Sequence, residues 1–224
     1  KLQEHYKRNN MKIFIDFDDV IFNTKKFKKD LFEIFSKYSI TEEEYEKSYY
    51  DPNDNRSIKM HDVEGQLRRL SEMHSFDEKS LRKSLEIFLH DSSDYVFTDV
   101  VPFIILHEKD KLSIVSFGNL DFQKKKIRSS KIKKYISDAK VTDKNKVEIL
   151  FTAIKENKNS KEKIFFLDDR VEQLRNVKKE IPDIITILVK RPESRYQDIK
   201  DEKCCDFEAH NFAEVQEIIK KFIQ

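Results

Sequence analysis

The stretch IFIDFDDVIFNT, residues 13–24, places three aspartates directly after a short apolar run. They are Asp16, Asp18 and Asp19. An unbroken apolar run of this kind is typical of a strand buried on both faces of a parallel sheet. Like charges about 4 Å apart repel by on the order of 4 kcal/mol at an effective dielectric near 20. The cluster therefore indicates either a solvated acidic turn or a site that binds a cation.

Three further apolar runs repeat the pattern, at residues 112–117, 164–167 and 184–189. Apolar residues at helical spacing lie between and after these runs, over residues 147–154, 171–177 and 215–222. Strands that alternate with helices predict a doubly wound α/β fold, in which helices cover both faces of a parallel sheet.

The segment between the first two apolar runs, roughly residues 24–100, has a different character. Apolar residues share helical faces at 27–38, 63–70 and 81–89, and two capping pairs, Thr41 with Glu44 and Ser75 with Glu78, predict helix starts. The pattern predicts an all-helical insertion that follows the first strand.

The overall charge limits the classes of partner. The 224 residues include 44 Lys and Arg against 42 Asp and Glu, a formal net charge of +2. A nearly neutral chain argues against a general attraction to nucleic acid or anionic lipid. No apolar run approaches the roughly 18 residues of a membrane span, so we expect a cytoplasmic protein with neither partner. The polar residues 1–10 are expected to form a flexible leader outside the fold.

Glycine is scarce, with two residues in the whole chain. Phosphate-binding loops of the GxxxxGK[ST] and GxGxxG types need several glycines, because the backbone must approach the phosphate closely. The composition excludes both loops, and any phosphate chemistry in this protein must use another device.

A second acidic pair, Asp168 and Asp169, follows the apolar run at 164–167. Parallel strands end at the same edge of a sheet, which is where open α/β sheets bind ligands. We therefore expect these two carboxylates to meet those of Asp16 and Asp18. Four carboxylates need a cation, and an all-oxygen site without His or Cys suits Mg²⁺. Magnesium in turn indicates a phosphate ligand.

Other residues near the predicted strand ends can bind a phosphoryl group. Ser116 ends the run at 112–117 and is followed by Gly118 and Asn119, which offer a hydroxyl and backbone N–H groups. Lys146 opens a predicted helix and can place an ammonium there, with Lys144 as the alternative.

Four segments in order resemble the motifs of the haloacid dehalogenase-like hydrolases: IFIDFDDVIFNT, LSIVSFGN, the basic residue of DKNKVEIL, and IFFLDDRVEQL. The first fits the pattern DxDx[TV]. The resemblance spans residues 11–223. It implies a Rossmann-like, three-layer α/β core formed by residues 11–23 and 97–224, with a helical cap at 24–96 inserted between them.

The resemblance also implies the roles of the site residues. Asp16 would be the nucleophile that forms an aspartyl-phosphate, and Asp18 the general acid and base. Ser116 and Lys146 would hold the phosphoryl group, and Mg²⁺ would be bound by Asp16, the backbone carbonyl of Asp18, Asp168 and Asp169. Gly118, Asn119 and Arg170 are the expected further contacts to substrate, while Asp19 is expected to be an exposed turn residue.

Asp18 separates two branches of the family. Members that attack carbon do not use an acid two residues after the nucleophile, whereas the phosphatases do. We therefore expect a Mg²⁺-dependent phosphatase that acts on a small phosphorylated metabolite. The alternatives are a non-catalytic binding or regulatory protein on the same scaffold, and a phosphotransferase.

Basic residues of the insertion and of the segment after the last apolar run are candidate substrate contacts. They are Arg56, Lys59, His61, Arg68, Arg69, Arg191 and Arg195. For each of the five in the insertion, a solvated helix face is the competing interpretation.

Overall fold

Six parallel strands form a single sheet in the computed structural model, which describes residues 11–56, 59–107, 111–136, 138–155, 162–198, 200 and 202–222. The strands are β1 (Met11–Ile15), β2 (Lys111–Phe117), β3 (Asp138–Thr142), β4 (Lys163–Asp168), β5 (Ile185–Val189) and β6 (Phe207–Ala209). Their order across the sheet is β3-β2-β1-β4-β5-β6. The leader predicted at residues 1–10 lies outside the described residues.

The four apolar runs of the sequence are β1, β2, β4 and β5, as predicted. Two edge strands were not predicted, β3 and β6. Each is short and partly exposed, DAKVT and FEA, so neither carries the unbroken apolar run of a doubly buried strand. The central position of β1, between β2 and β4, places Ile15 beside Ile114 and Leu167.

Helices cover both faces of the sheet. The helices of the chain are α1 (Thr24–Ser36), α2 (Glu42–Tyr49), α3 (Val63–Met73), α4 (Glu78–Phe88), α5 (Val100–Leu106), α6 (Leu120–Ser129), α7 (Lys146–Lys155), α8 (Val171–Glu180) and α9 (Phe212–Lys220). Leu150 of α7 and Leu174 of α8 pack with Phe14 on one face. Ile127 of α6 and Val215 of α9 belong to the cluster on the other face. The three-layer α/β architecture is therefore confirmed.

The described part of the segment between β1 and α5 contains helices α1 to α4 and a 3₁₀ turn at Ser93–Tyr95. Thr41 and Glu44 form the predicted capping box at the start of α2. The second predicted cap, Ser75 with Glu78, is wrong. The N-cap residue of α4 is Asp77, whose side chain accepts a hydrogen bond from the backbone N–H of Ser80. Among all the residues that the structure describes, no helix is both long and apolar enough to cross a membrane.

The inserted helices share their apolar core with one face of the sheet. Phe17 and Phe22, which follow β1, pack as stacked rings 4.9 Å apart between centroids. Phe22 contacts Phe27 of α1 and Tyr95 at the end of the insertion. The insertion is therefore packed directly over the carboxyl end of β1.

Candidate active site

Asp16 is the first residue after β1, and the fold holds it in a fixed position. Its backbone N–H donates to the carbonyl of Leu167 at 2.9 Å, which continues the pairing of β1 with β4. Its Oδ1 accepts a hydrogen bond of 2.7 Å from the backbone N–H of Phe17 and lies 2.8 Å from Nζ of Lys146. Asp16 also lines a cleft, and its Oδ1 already has these two hydrogen-bond partners.

Asp168 and Asp169 come to the same place from the end of β4. Asp168 Oδ2 accepts from Lys146 Nζ at 2.7 Å, and its Oδ1 accepts from the backbone N–H of Arg170 at 2.9 Å. Asp16, Asp168 and Asp169 each offer an oxygen within 4.8 Å of the others. The convergence of two strand ends expected from the sequence is present. The carboxylate of Asp18 is not in this group.

The three carboxylates are buried, and the positive charge beside them is too small to balance them. Burial raises the pKa of Asp16 to about 7, although Lys146 lowers it. Burial also raises the pKa of Asp169 well above its ordinary value, and Asp16 and Asp168 add to the increase. Asp169 Oδ2 has no hydrogen-bond partner in the described part of the chain. When all three are ionised, as ligands of a cation are, Lys146 offsets one of the three negative charges and an excess of two is left.

This donor set fits Mg²⁺. A divalent cation matches the excess charge, and a bare carboxylate oxygen on Asp169 is available as a ligand. Hard oxygen donors without imidazole or thiolate are the set that magnesium takes in proteins. Asp16, Asp168 and Asp169 are therefore the residues that can hold the ion.

Asp18 faces α6 instead. Its carboxylate accepts hydrogen bonds from Thr24 Oγ1 at 2.6 Å and Gln123 Nε2 at 2.5 Å, and it is paired with the ammonium of Lys126. Burial would raise the pKa of Asp18, but Lys126 and then Arg195 outweigh it and lower the pKa to about 2. In this arrangement Asp18 is ionised.

Gln123 and Lys126 are functional candidates that the sequence analysis missed. They lie three residues apart on one face of α6, and both are buried. The signal was a pair of polar residues at helical spacing, but Lys126 is one of three consecutive lysines, and sequence alone does not distinguish the buried one.

The turn after β2 is only partly as predicted. Ser116 is fully buried, and its hydroxyl is within 2.8 Å of Gln123 Nε2, so Gln123 covers it. Gly118 and Asn119 line the cleft. Asn119 also caps α6 by accepting from the backbone N–H of Phe122 at 3.1 Å. A side chain at Gly118 would place Cβ 2.8 Å from Cγ of Gln123 with φ at +155°, which explains a glycine here.

Solved structures match the chain over nearly its whole length. A haloacid dehalogenase-like hydrolase of Burkholderia xenovorans LB400 superposes with a TM-score of 0.74 at 15% identity, over 96% of this chain and 99% of that one. An L-2-haloacid dehalogenase gives 0.66 at 13%, over 94% and 99%. The chain has the haloacid dehalogenase-like hydrolase fold. A HAD-hydrolase of Bacillus subtilis bound to magnesium also matches, at 0.62 and 15%, over 94% and 99%. No family model and no curated protein matches the sequence.

A cleft of about 210 Å³ separates the inserted helices from the haloacid dehalogenase-like core. The core side contributes Asp16, Asp169 and Lys146, and the insertion contributes Tyr49 and His61 among others. The His61 ring stacks on Tyr49 at 4.0 Å between centroids, and its Nε2 lies 2.6 Å from Gln66 Oε1. Burial lowers the pKa of His61 to about 3, so this histidine is neutral.

Position distinguishes the two candidate lysines. Lys146 is buried and bridges Asp16 and Asp168, whereas Lys144 is exposed on the surface. The difference arises because Lys146 begins α7 under the end of β1, while Lys144 lies in the preceding turn.

The expectation for Asp19 is wrong. Asp19 is fully buried, has a left-handed backbone with φ of 56°, and accepts a hydrogen bond of 2.5 Å from Arg195 Nε. The turn leaves β1 tightly, so its third aspartate points into the protein and needs a cation there.

Arg191 does not line the cleft, which contradicts its selection as a substrate contact. Its guanidinium donates to the carbonyl of Val20 at 3.0 and 3.2 Å and to Asp99 Oδ2 at 2.7 Å. Arg191 therefore supports the backbone behind the site. The other basic candidates divide. Lys59, His61, Arg170 and Arg195 line the cleft, whereas Arg56, Arg68 and Arg69 do not.

Proposed function

We propose that this protein is a Mg²⁺-dependent hydrolase of a small phosphomonoester. The observation that carries the proposal is the group of three buried carboxylates, from two strand ends, that share a single ammonium. Asp18, two residues beyond Asp16, distinguishes the chain from dehalogenases that attack carbon. The cleft of about 210 Å³ favours a small substrate, since pockets for drug-sized ligands begin near roughly 300 Å³.

Bound Mg²⁺ would neutralise the carboxylates and the phosphoryl oxygens, so that an anionic substrate can enter an acidic site. Asp16, Asp168 and Asp169 would hold the ion, with the backbone carbonyl of Asp18. The HAD-hydrolase from Bacillus subtilis that contains magnesium supports this choice of metal.

Asp16 is the nucleophile in this proposal. Its Oδ1 is held by the Phe17 N–H and by Lys146, which leaves Oδ2 to attack phosphorus. The Oδ2–P bond forms while the ester P–O bond breaks, and the alcohol departs. Water then attacks the phosphorus of the aspartyl-phosphate, the Oδ2–P bond breaks, and inorganic phosphate leaves, which restores the carboxylate.

Asp18 carries the proton in both steps. The leaving alkoxide needs a proton, and the attacking water must lose one, so one carboxyl group serves both in turn. The structure holds Asp18 ionised against Lys126 and Gln123. The carboxylate can act as the base in the second step. To act as the acid in the first step it must separate from Lys126 and take up a proton from solvent, which it then gives to the leaving alkoxide.

Turnover of p-nitrophenyl phosphate in Mg²⁺ tests the proposal. We expect hydrolysis by the native chain, loss by at least about 10³-fold in Asp16→Asn, and loss in EDTA that added Mg²⁺ reverses. Asp143→Asn, an exposed aspartate outside the cleft, is the matched control. Equal turnover of Asp16→Asn and the native chain, or activity that survives EDTA, refutes the mechanism.

Three outcomes would each select an alternative. Mg²⁺ binding without turnover of any phosphomonoester would favour a non-catalytic binding protein. Transfer of phosphate to an added alcohol, with little free phosphate released, would favour a phosphotransferase. Chloride release from 2-chloropropionate would instead favour the chemistry of the dehalogenase neighbours.

A further inference from the structure

Two arginines at the cleft stack on one aromatic ring. The guanidinium carbons of Arg170 and Arg195 each lie 5.2 Å from the ring centroid of Tyr196, and all three residues line the cleft. Arg170 is the N-cap residue of α8, directly after Asp169, while Arg195 and Tyr196 lie in the loop after β5. Both planar cations therefore lie beside one ring that lines the cleft.

We propose that Arg170 and Arg195 bind a second anionic group of the substrate, a carboxylate or a second phosphate on the leaving group. This inference rests on the proposed function and narrows its substrate class. A planar guanidinium presents several N–H donors in a fixed fork, which matches the oxygens of both anions.

Both arginines have donors available. Arg170 Nε is buried without a hydrogen-bond partner, and its nearest ion pair is a weak one, 3.9 Å from the half-exposed Glu172. Arg195 donates a hydrogen bond from Nε to Asp19 Oδ2. Among the described residues no acceptor contacts its two terminal nitrogens. A buried N–H without an acceptor costs stability, so a ligand oxygen beside Arg170 would be stabilised.

The order of strands separates this pair from the turn after β2. β1 lies between β2 and β4, so Gly118 and Asn119 are on one side of Asp16 and Arg170 is on the other. Neighbouring strands are about 4.8 Å apart, which puts the ends of β2 and β4 about 10 Å apart. A small molecule with an anion at each end can contact both sides.

The charges of the cleft also favour a second anion. Lys126 is paired with Asp18, and Lys146 with Asp16 and Asp168. Those pairs satisfy the cations nearest the nucleophile. Lys59, on the inserted segment, lines the cleft and has no ion pair in the described part of the chain. With Arg170, whose nearest ion pair is the 3.9 Å contact to Glu172, it provides positive charge at the cleft for a second anion once a cation has neutralised the three carboxylates.

Binding of phosphonates tests the inference without any need for turnover. The probes are 3-phosphonopropionate and propylphosphonate, which differ by a carboxylate in place of a methyl group, measured by calorimetry with the full chain in Mg²⁺. We expect 3-phosphonopropionate to bind at least about tenfold more tightly, the value of one charged hydrogen bond. Propane-1,3-diylbisphosphonate distinguishes a phosphate site from a carboxylate site, according to which probe binds more tightly.

Variants test whether the two arginines cause this difference in affinity between the probes. Arg170→Gln should remove most of the preference for 3-phosphonopropionate, and Arg195→Lys should reduce it while keeping a cation for Asp19. Arg68→Gln, an exposed arginine outside the cleft, is the control and should leave it unchanged.

Equal affinity of the two probes for the native chain overturns the inference, as does a preference that survives in Arg170→Gln. The outcome is separate from that of the proposed function. A protein that hydrolyses p-nitrophenyl phosphate but shows no probe preference has the function without the anion site. A protein that shows the preference but no turnover has the site without the function.

Discussion

Replacing Asp169 by asparagine removes one carboxylate from the cluster and keeps the shape of the side chain. Its ligand oxygen lies within 4.8 Å of oxygens on Asp16 and Asp168. At 4.8 Å and an effective dielectric near 20, each pair of like charges repels by about 3.5 kcal/mol. The variant should therefore be more stable than the native chain when no metal is bound.

Proton uptake limits the size of this effect. An aspartate with an ordinary pKa of about 3.9 can be protonated at pH 7 for about 4 kcal/mol, at about 1.36 kcal/mol per pH unit. The folded pKa of Asp169 is raised above its unfolded value, so the folded state binds more protons and loses stability as pH rises above about 4. We expect Asp169→Asn to raise the free energy of unfolding by about 1–4 kcal/mol at pH 7, with the gain vanishing near pH 4.

Urea unfolding followed by circular dichroism measures this change, because the chain has no tryptophan for fluorescence. The measurement is made in EDTA and again in Mg²⁺. At a concentration 100 times its Kd, Mg²⁺ should stabilise the native chain by about 2.7 kcal/mol and the variant by less. Asp143→Asn, exposed and outside the cleft, is the control, and it should change stability by less than about 0.5 kcal/mol. If Asp169→Asn is less stable than the native chain in EDTA, the argument from charge repulsion is wrong.

Three further changes test the surroundings of the site by the same unfolding measurement. Lys126→Met keeps an apolar stem among the phenylalanines but leaves Asp18 buried without its cation. The free energy of unfolding should fall by about 3–5 kcal/mol. A fall of less than about 1 kcal/mol would contradict the ion pair. The pKa of His61 is lowered to about 3, so at this residue only the unfolded chain binds a proton between that value and about 6.5. His61 should therefore contribute a loss of about 2 kcal/mol in stability as pH falls from 7 to 5, opposite in sign to the contribution of Asp169, and the loss is measured as the difference between the native chain and His61→Phe. His61→Phe should lack that loss, and an unchanged pH profile would show that another group causes it. Gly118→Ala should cost about 1–3 kcal/mol because of its backbone conformation and its crowded Cβ, whereas Gly65→Ala, where only flexible side-chain ends obstruct Cβ, is the control and should be tolerated; equal costs would contradict this reasoning.

The sheet and the acidic centre could be predicted from local sequence. A strand buried on both faces requires an unbroken apolar run, and four such runs gave β1, β2, β4 and β5. Since parallel strands end at one edge, the acidic residues that directly follow β1 and end β4 had to meet. No knowledge of side-chain packing was needed for that conclusion.

Partners of individual side chains could not be predicted in this way. Asp19 is bonded to Arg195, 176 residues away in the chain, and Asp18 to Lys126, 108 residues away. Nothing in the local pattern marks either pair, because pairing depends on which loops and helix faces the folded chain brings to the site.

The sequence by itself thus determined the four central strands, the helical insertion and the meeting of acidic residues at the ends of β1 and β4. Only the tertiary structure decided that Asp18 faces α6, that Gln123 covers Ser116 and that two arginines share Tyr196. Periodicity and burial are encoded locally, residue by residue, whereas the direction of a side chain in a turn is set by the packing of distant segments.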